Sequence, residues 1–139
     1  MDATLRELNI RRSVKKFFVD NFTETPIRFD RIITAEATTD RWICVVLGGL
    51  RPHHVSQCTM EVHVFTTEDP EGIKCSKVRD SVMELLFPAH IPLYDTHQTP
   101  WKNVGGLFID FLPQSDTTFN RDQSRMTSVT VFLKWGTVW

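Results

Sequence analysis

Five histidines (His53, His54, His63, His90, His97) and three cysteines (Cys44, Cys58, Cys75) are the side chains of this 139-residue chain best suited to metal binding or nucleophilic chemistry. Their spacing argues against both uses. There is no CxxC, HExxH or His-x-His pattern, and the adjacent His53 and His54 point to opposite sides of an extended segment. A zinc site would therefore have to gather ligands from across the fold. Cys58 and His63, five residues apart in one strand, fall on opposite faces and cannot form a thiolate–imidazole pair. Gly105-Gly106 is not followed by a helix whose N-terminus could cradle a phosphate, so it reads as a bulge or a close backbone approach. Glu68, Asp69 and Glu71 sit where a helix start favours carboxylates. No catalytic, cofactor-binding or metal residue is assigned, and no enzyme activity is expected.

The elements that must position these groups follow one another in α-βββ-α-βββ order. Leu5, Leu8, Val14, Phe17, Phe18 and Phe22, broadened by Ile10 and Val19, form the apolar side of a helix from about Ala3 to Asn21. Thr25-Pro26 breaks it, and Ile27 and Phe29 share one side of a short strand. The run Trp42 to Leu47 has no polar break, as expected for a strand covered on both faces, and Gly48-Gly49 ends it. From Gln57 to Phe65, Cys58, Met60, Val62 and Val64 alternate inward against Thr59, Glu61 and His63, which predicts one wet face with His63 on it. Asp69-Pro70-Glu71 opens a second helix with Ile73, Val78, Val82, Leu85 and Leu86 buried, and Pro88 ends it.

Ile91 to Tyr94 fits an edge strand, because Pro92 cannot donate to a ladder. A strand from Val104 to Leu112 places Leu107, Ile109 and Phe111 on one face and Phe108, Asp110 and Leu112 on the other. The last, Met126 to Trp135, turns Val129, Val131, Leu133 and Trp135 inward. Between them Pro113 to Arg125 reads as a polar loop far longer than a hairpin needs. Together these elements predict an α+β fold: one domain over residues 1–139, with a mixed, mainly antiparallel sheet, twisted or partly closed, packed by two helices.

Composition bounds the partners. Sixteen Lys plus Arg against seventeen Asp plus Glu give a formal charge of -1, so no overall pull toward nucleic acid or anionic lipid is expected. The basic residues of the first helix (Arg6, Arg11, Arg12, Lys15, Lys16) read as a solvated face. Three widely spaced cysteines suit reduced thiols, and the opening residues lack the apolar run of a signal peptide, so a soluble product made in the cytoplasm is expected. Core burial accounts for Trp42 and Trp135. Trp101 in a loop and Trp139 at the C-terminus suit a contact surface instead.

Laid out in this way, the chain resembles the tail terminator (tail completion) proteins of long-tailed bacteriophages. The likeness rests on the helix LRELNIRRSVKKFF, the extended PIRFD, the strand WICVVL, the strand ending VFTTEDP before the helix IKCSKVRDSVMELL, then GGLFIDFLP, the polar loop and SVTVFLKW. It covers essentially the whole chain and is one of layout. The resemblance implies a non-enzymatic structural virion protein: a homohexameric ring that caps the finished tail tube, stops its polymerisation and offers the surface for head attachment. Implied partners are other copies of the chain, the tail tube protein, a head completion or connector protein, and genomic DNA passing through the lumen without sequence-specific binding. No membrane is involved. The implied location is the virion tail at the head–tail junction, after synthesis in the host bacterial cytoplasm. Phe119, Arg121, Arg125, Trp101 and Trp139 are the candidate subunit-interface residues. The rival expectation is a small cytosolic enzyme or small-molecule-binding α+β domain with a pocket lined by Trp101, His97 and Tyr94. A nucleic-acid accessory domain would need stacking aromatics beside the basic helix face, whereas Phe17 and Phe18 belong to the apolar stripe.

Overall fold

The structure, a computed structural model, describes residues 6–32, 39–49, 55–86, 90–109, 114–119 and 124–136. Two helices, α1 (Glu7–Asn21) and α2 (Ile73–Leu86), accompany seven strands: β1 (Ile27–Phe29), β2 (Arg41–Leu47), β3 (Val55–Thr66), β4 (His90–Asp95), β5 (Lys102–Ile109), β6 (Gln114–Phe119) and β7 (Arg125–Gly136). All strands belong to one sheet in the order β1-β2-β3-β7-β5-β4, with β6 also paired to β7. Among the described strands only the β1–β2 pair is parallel, so the sheet is mixed and mainly antiparallel, as the alternating patterns imply.

The inward faces follow the sequence pattern closely. Ile43 and Val45 of β2, Cys58, Met60, Val62 and Val64 of β3, Leu107 of β5 and Val129, Val131, Leu133 and Trp135 of β7 are all buried. They form one core with Ile10, Val14 and Phe18 of α1 and Cys75, Val78, Val82 and Leu86 of α2. Burying each such side chain contributes about 1.5–3 kcal/mol, so this face dominates stability. Both helices cover it.

Four expectations need correction. First, β3 does not have one wet face along its length: His63 is only 8% exposed. On the side opposite the main core, Trp42 stacks on Phe65 with ring centroids 5.4 Å apart, and these two form a second apolar cluster with Cys44, against which Met126 packs. His63 pairs across the ladder with Cys44 and Ser128, inside this dry zone. Second, the segment from Pro113 to Arg125 is not all loop. Its Gln114–Phe119 stretch adds to β7 as β6, in antiparallel register from Gln114↔Thr130 to Phe119↔Arg125. Backbone bonding makes this strand without an apolar alternation to announce it.

Third, α1 begins at Glu7, because Arg6 is already extended (φ -81, ψ 116), and its buried stripe is rotated relative to expectation. Leu8 and Val19 are exposed, while Asn9 and Ser13 are buried. The reason is β4, the last strand of the sheet. Ser13 Oγ accepts the Tyr94 N–H (2.9 Å), and Asn9 Oδ1 accepts the Thr96 N–H (3.0 Å) and the Thr96 hydroxyl (2.8 Å). A buried amide without a partner costs free energy, so polar side chains turn inward here to cover the sheet edge. On its other flank α1 reaches β1 through an Arg11–Asp30 ion pair (2.7 Å) and through the Lys15 ammonium over the Phe29 ring. One helix thus touches both ends of the strand path, and the sheet curls around it.

Fourth, α2 spans the expected IKCSKVRDSVMELL but buries a different first turn, with Ile73 exposed and Cys75 buried. Asp69 caps it from outside. Its carboxylate accepts the Cys75 N–H (2.9 Å), the Lys74 N–H (3.2 Å) and the Thr66 hydroxyl (2.9 Å). Gly72, at φ +73, supplies the left-handed residue that swings the chain from Asp69 into the helix.

Candidate interaction surface

Side chains of β4 and β5 that point away from the main core make the most distinctive surface. Gln57 of β3, Lys134 of β7, Phe108 of β5 and His90 of β4 lie in one row across the sheet. The His90 and Phe108 rings are 5.7 Å apart. Phe108 is 55% exposed near the end of a strand whose neighbours Leu107 and Ile109 face inward. Along β4 the row continues through Pro92 to Tyr94, whose ring lies 6.2 Å from that of Trp101. Trp101 is 41% exposed. The gap between Phe108 and Tyr94 is kept open by Gly106, where a Cβ would approach His90 Cδ2 to 3.2 Å. The ladder is irregular next to it: Leu93 pairs with Gly105 but Tyr94 with Asn103, leaving Val104 as the extra residue, the bulge that the paired glycines suggest.

This aromatic strip borders a groove of about 320 Å³ between α1 and β4, lined by Phe17, His90, Pro92 and Tyr94 with the Lys16–Asp20 pair at its rim. Phe132, two residues from Lys134 on the same face, is also exposed and edges a second hollow with Gly49, Gln57 and Thr59. Contiguous exposed aromatics of this kind mark contact surfaces more often than isolated ones do.

The residues nominated from sequence do not converge on one place. Trp101 belongs to the strip. Arg125 instead turns inward within the chain, donating from Nε to the Asp69 carbonyl (3.2 Å) and from Nη2 to the Pro70 carbonyl (2.5 Å). It supports the loop that caps α2. Phe119 ends β6, opposite Arg125. Arg121 and Trp139 lie outside the described residues, as do His53 and His54. The pocket expected from Trp101, His97 and Tyr94 is divided: the exposed His97 has its Nδ1 3.1 Å from Asn9 Oδ1 of α1, and of the three only Tyr94 lines the groove. Phe108, His90 and Phe132 join this surface without a motif to mark them, although the first and last stand out of phase with their strands' apolar alternation.

One arrangement has the connectivity of a hydrolase relay. His63 Nδ1 lies 2.7 Å from Ser128 Oγ and its Nε2 lies 3.2 Å from Glu61 Oε2. Chemistry at Ser128 would also need free amides for an oxyanion. Ser128 is flanked by ladders on both sides, paired to His63 of β3 and to Asp116 of β6, so the surrounding N–H groups are committed to the sheet. The trio acts as a polar bridge between β3 and β7. The thiols are equally enclosed: burial pushes Cys58 up to about 11, and Cys75 Sγ lies 3.2 Å from Thr127 Oγ1. Among the described residues, no three His, Cys, Asp or Glu side chains converge as a metal site, and no helix is long and apolar enough to cross a membrane.

The chain is similar in fold to a solved structure whose designation carries no functional meaning, with a TM-score of 0.69 over 97% of both chains and 9% sequence identity. No family model matches the chain, and no curated protein matches it.

Proposed function

We propose that the chain is a ring-forming structural protein of a long-tailed bacteriophage, a tail terminator that caps the tail tube, stops its growth and offers the surface for head attachment. The order of elements that suggests this family accompanies an α+β sheet with both helices on one face. The single observation that carries a self-assembling role is the strip from Phe108 through His90, Pro92 and Tyr94 to Trp101. It lies toward the β4 end of the sheet, while β1 forms the other end. A closed ring of identical subunits needs two different faces per subunit, joined head to tail, and a strip at one sheet end supplies one of them. The groove beside it opens onto the strip, which suits an extended protein contact better than an enclosed small ligand.

The test is Phe108→Asp. A carboxylate set into a desolvated aromatic contact is strongly unfavourable, whereas on a solvated face it costs the fold little. The expected result is a folded protein, with the far-UV dichroism of the wild type, that forms no rings and does not complete tails. Normal rings and normal tail completion by the variant would remove the strip from the subunit contact.

A further inference from the structure

The outward side of α1 carries a feature that the strip does not explain. Leu8, Arg12, Lys15 and Val19 lie in one line along the helix, at the alternating three- and four-residue spacing of a single face. All four are exposed, Leu8 by 44% and Val19 by 48%. The other cations of this helix are engaged: Arg11 by Glu7 (2.8 Å) and Asp30 (2.7 Å), Lys16 by Asp20. Arg12 and Lys15 have no carboxylate partner among the described residues. Arg12 reaches only the Thr96 hydroxyl (3.3 Å), and Lys15 lies 5.7 Å from the centre of the Phe29 ring. Beside this line a hollow of about 200 Å³ opens toward β1 and β2, with Arg12 and Lys15 on its rim, Val14, Phe29, Val45 and Leu47 lining it, and Arg11 and Asp30 at its edge, where each neutralises the other.

We propose that this face of α1 docks an acidic segment of a partner protein, with one aliphatic side chain entering the hollow and flanking carboxylates meeting Arg12 and Lys15. Charge complementarity names the partner. Two cations without carboxylate partners among the described residues, next to a largely apolar hollow of side-chain size whose one carboxylate, Asp30, is already paired with Arg11, match a short sequence in which acidic residues surround a leucine-like one. A nucleic-acid backbone would call for denser positive charge and has no use for Leu8 and Val19 between the phosphates. An anionic bilayer would call for a continuous apolar stripe, yet Leu8 and Val19 stand about 16 Å apart with two charges between them. The proposal does not depend on ring formation.

The experiment titrates the full chain, isotopically labelled, with acetyl-Glu-Asp-Leu-Asp-Glu-amide and follows backbone amide resonances. Saturable shifts at millimolar peptide, confined to α1 and to the residues around Phe29 and Leu47, are expected. Affinity should fall about tenfold in Lys15→Glu, where attraction becomes repulsion, and should weaken with added salt. Arg12→Gln gives a second, milder variant. The proposal is overturned if acetyl-Gln-Asn-Leu-Asn-Gln-amide binds equally well, or if Lys15→Glu leaves the affinity unchanged. Preferential binding of phosphatidylglycerol vesicles or of duplex DNA to the same residues also overturns it.

Discussion

Replacing Asp69 probes the joint between sheet and second helix more sharply than any other single change. The side chain is only 3% exposed, yet it is a carboxylate, and its two oxygens take the Cys75 and Lys74 amides and the Thr66 hydroxyl. Burial alone would raise its pKa. The bonds from Cys75 N–H, Thr66 and Lys74 N–H, with the Lys74 charge, outweigh that and hold it below the ordinary carboxylate range. Asp69→Ala removes the cap and leaves two helix-start amides and a hydroxyl without their acceptor. Cap loss costs about 0.5–2 kcal/mol and each stranded buried group adds to it, so the total should be about 2–4 kcal/mol. For a chain of this length that lowers Tm by roughly 6–16 °C.

The pH dependence has a defined sign. Because the folded pKa is depressed, the carboxylate's contribution is fully present above its unfolded pKa and is lost as pH falls through the folded value, that is, below about pH 4. Asp69→Asn should therefore be less stable than wild type at neutral pH and should approach it in acid. Urea unfolding followed by tryptophan fluorescence at a series of pH values measures both effects. An Asp69→Ala protein within about 0.5 kcal/mol of wild type, or an Asn variant with the wild-type acid profile, would refute this reading of the joint.

Further expectations follow from the same contacts. Asn9→Ala strands the Thr96 N–H and hydroxyl under α1 and should cost about 2–3 kcal/mol, with hydrogen exchange accelerated at Tyr94 and Thr96 before the β3–β7 ladder. The thiols of Cys44, Cys58 and Cys75, all buried, should react with Ellman's reagent at pH 8 only at the rate of opening, and rapidly in urea; fast native labelling of Cys58 would contradict its enclosure. Arg125→Met should lower stability by about 1 kcal/mol and leave assembly intact, since the guanidinium holds the Asp69 and Pro70 carbonyls of its own chain. Loss of assembly with unchanged stability would return Arg125 to the subunit contact.

Sequence alone made the inward faces of β2, β3 and β7 legible, because strict alternation leaves no other register for Met60, Val62, Val129 and Val131. It also placed the unbroken apolar run of β2 correctly: Trp42 and Cys44 face one layer, Ile43 and Val45 the other. Period two tells which face a residue joins, however, and not what covers that face, so His63 was expected in water although Trp42 and Phe65 keep its surroundings dry. β6 was illegible for a different reason: its ladder to β7 is backbone bonding, and QSDTTF carries no apolar rhythm. The rotation of α1 depends on the unpaired amides of β4, a tertiary fact that no helical wheel contains. Of the candidate contact surface, the sequence marks Trp101 as unusual and Phe108 as out of phase. That they share one strip with His90 and Tyr94 follows only from the pairing of β4 with β5.

Native mass spectrometry at several concentrations, on the chain alone and in the presence of tail tubes, tests the ring most directly. A hexameric ring gives a species of six times the 16.1 kDa chain mass, present alone or appearing when tubes are added. A protein that stays monomeric at every concentration and remains so with tubes present would contradict it.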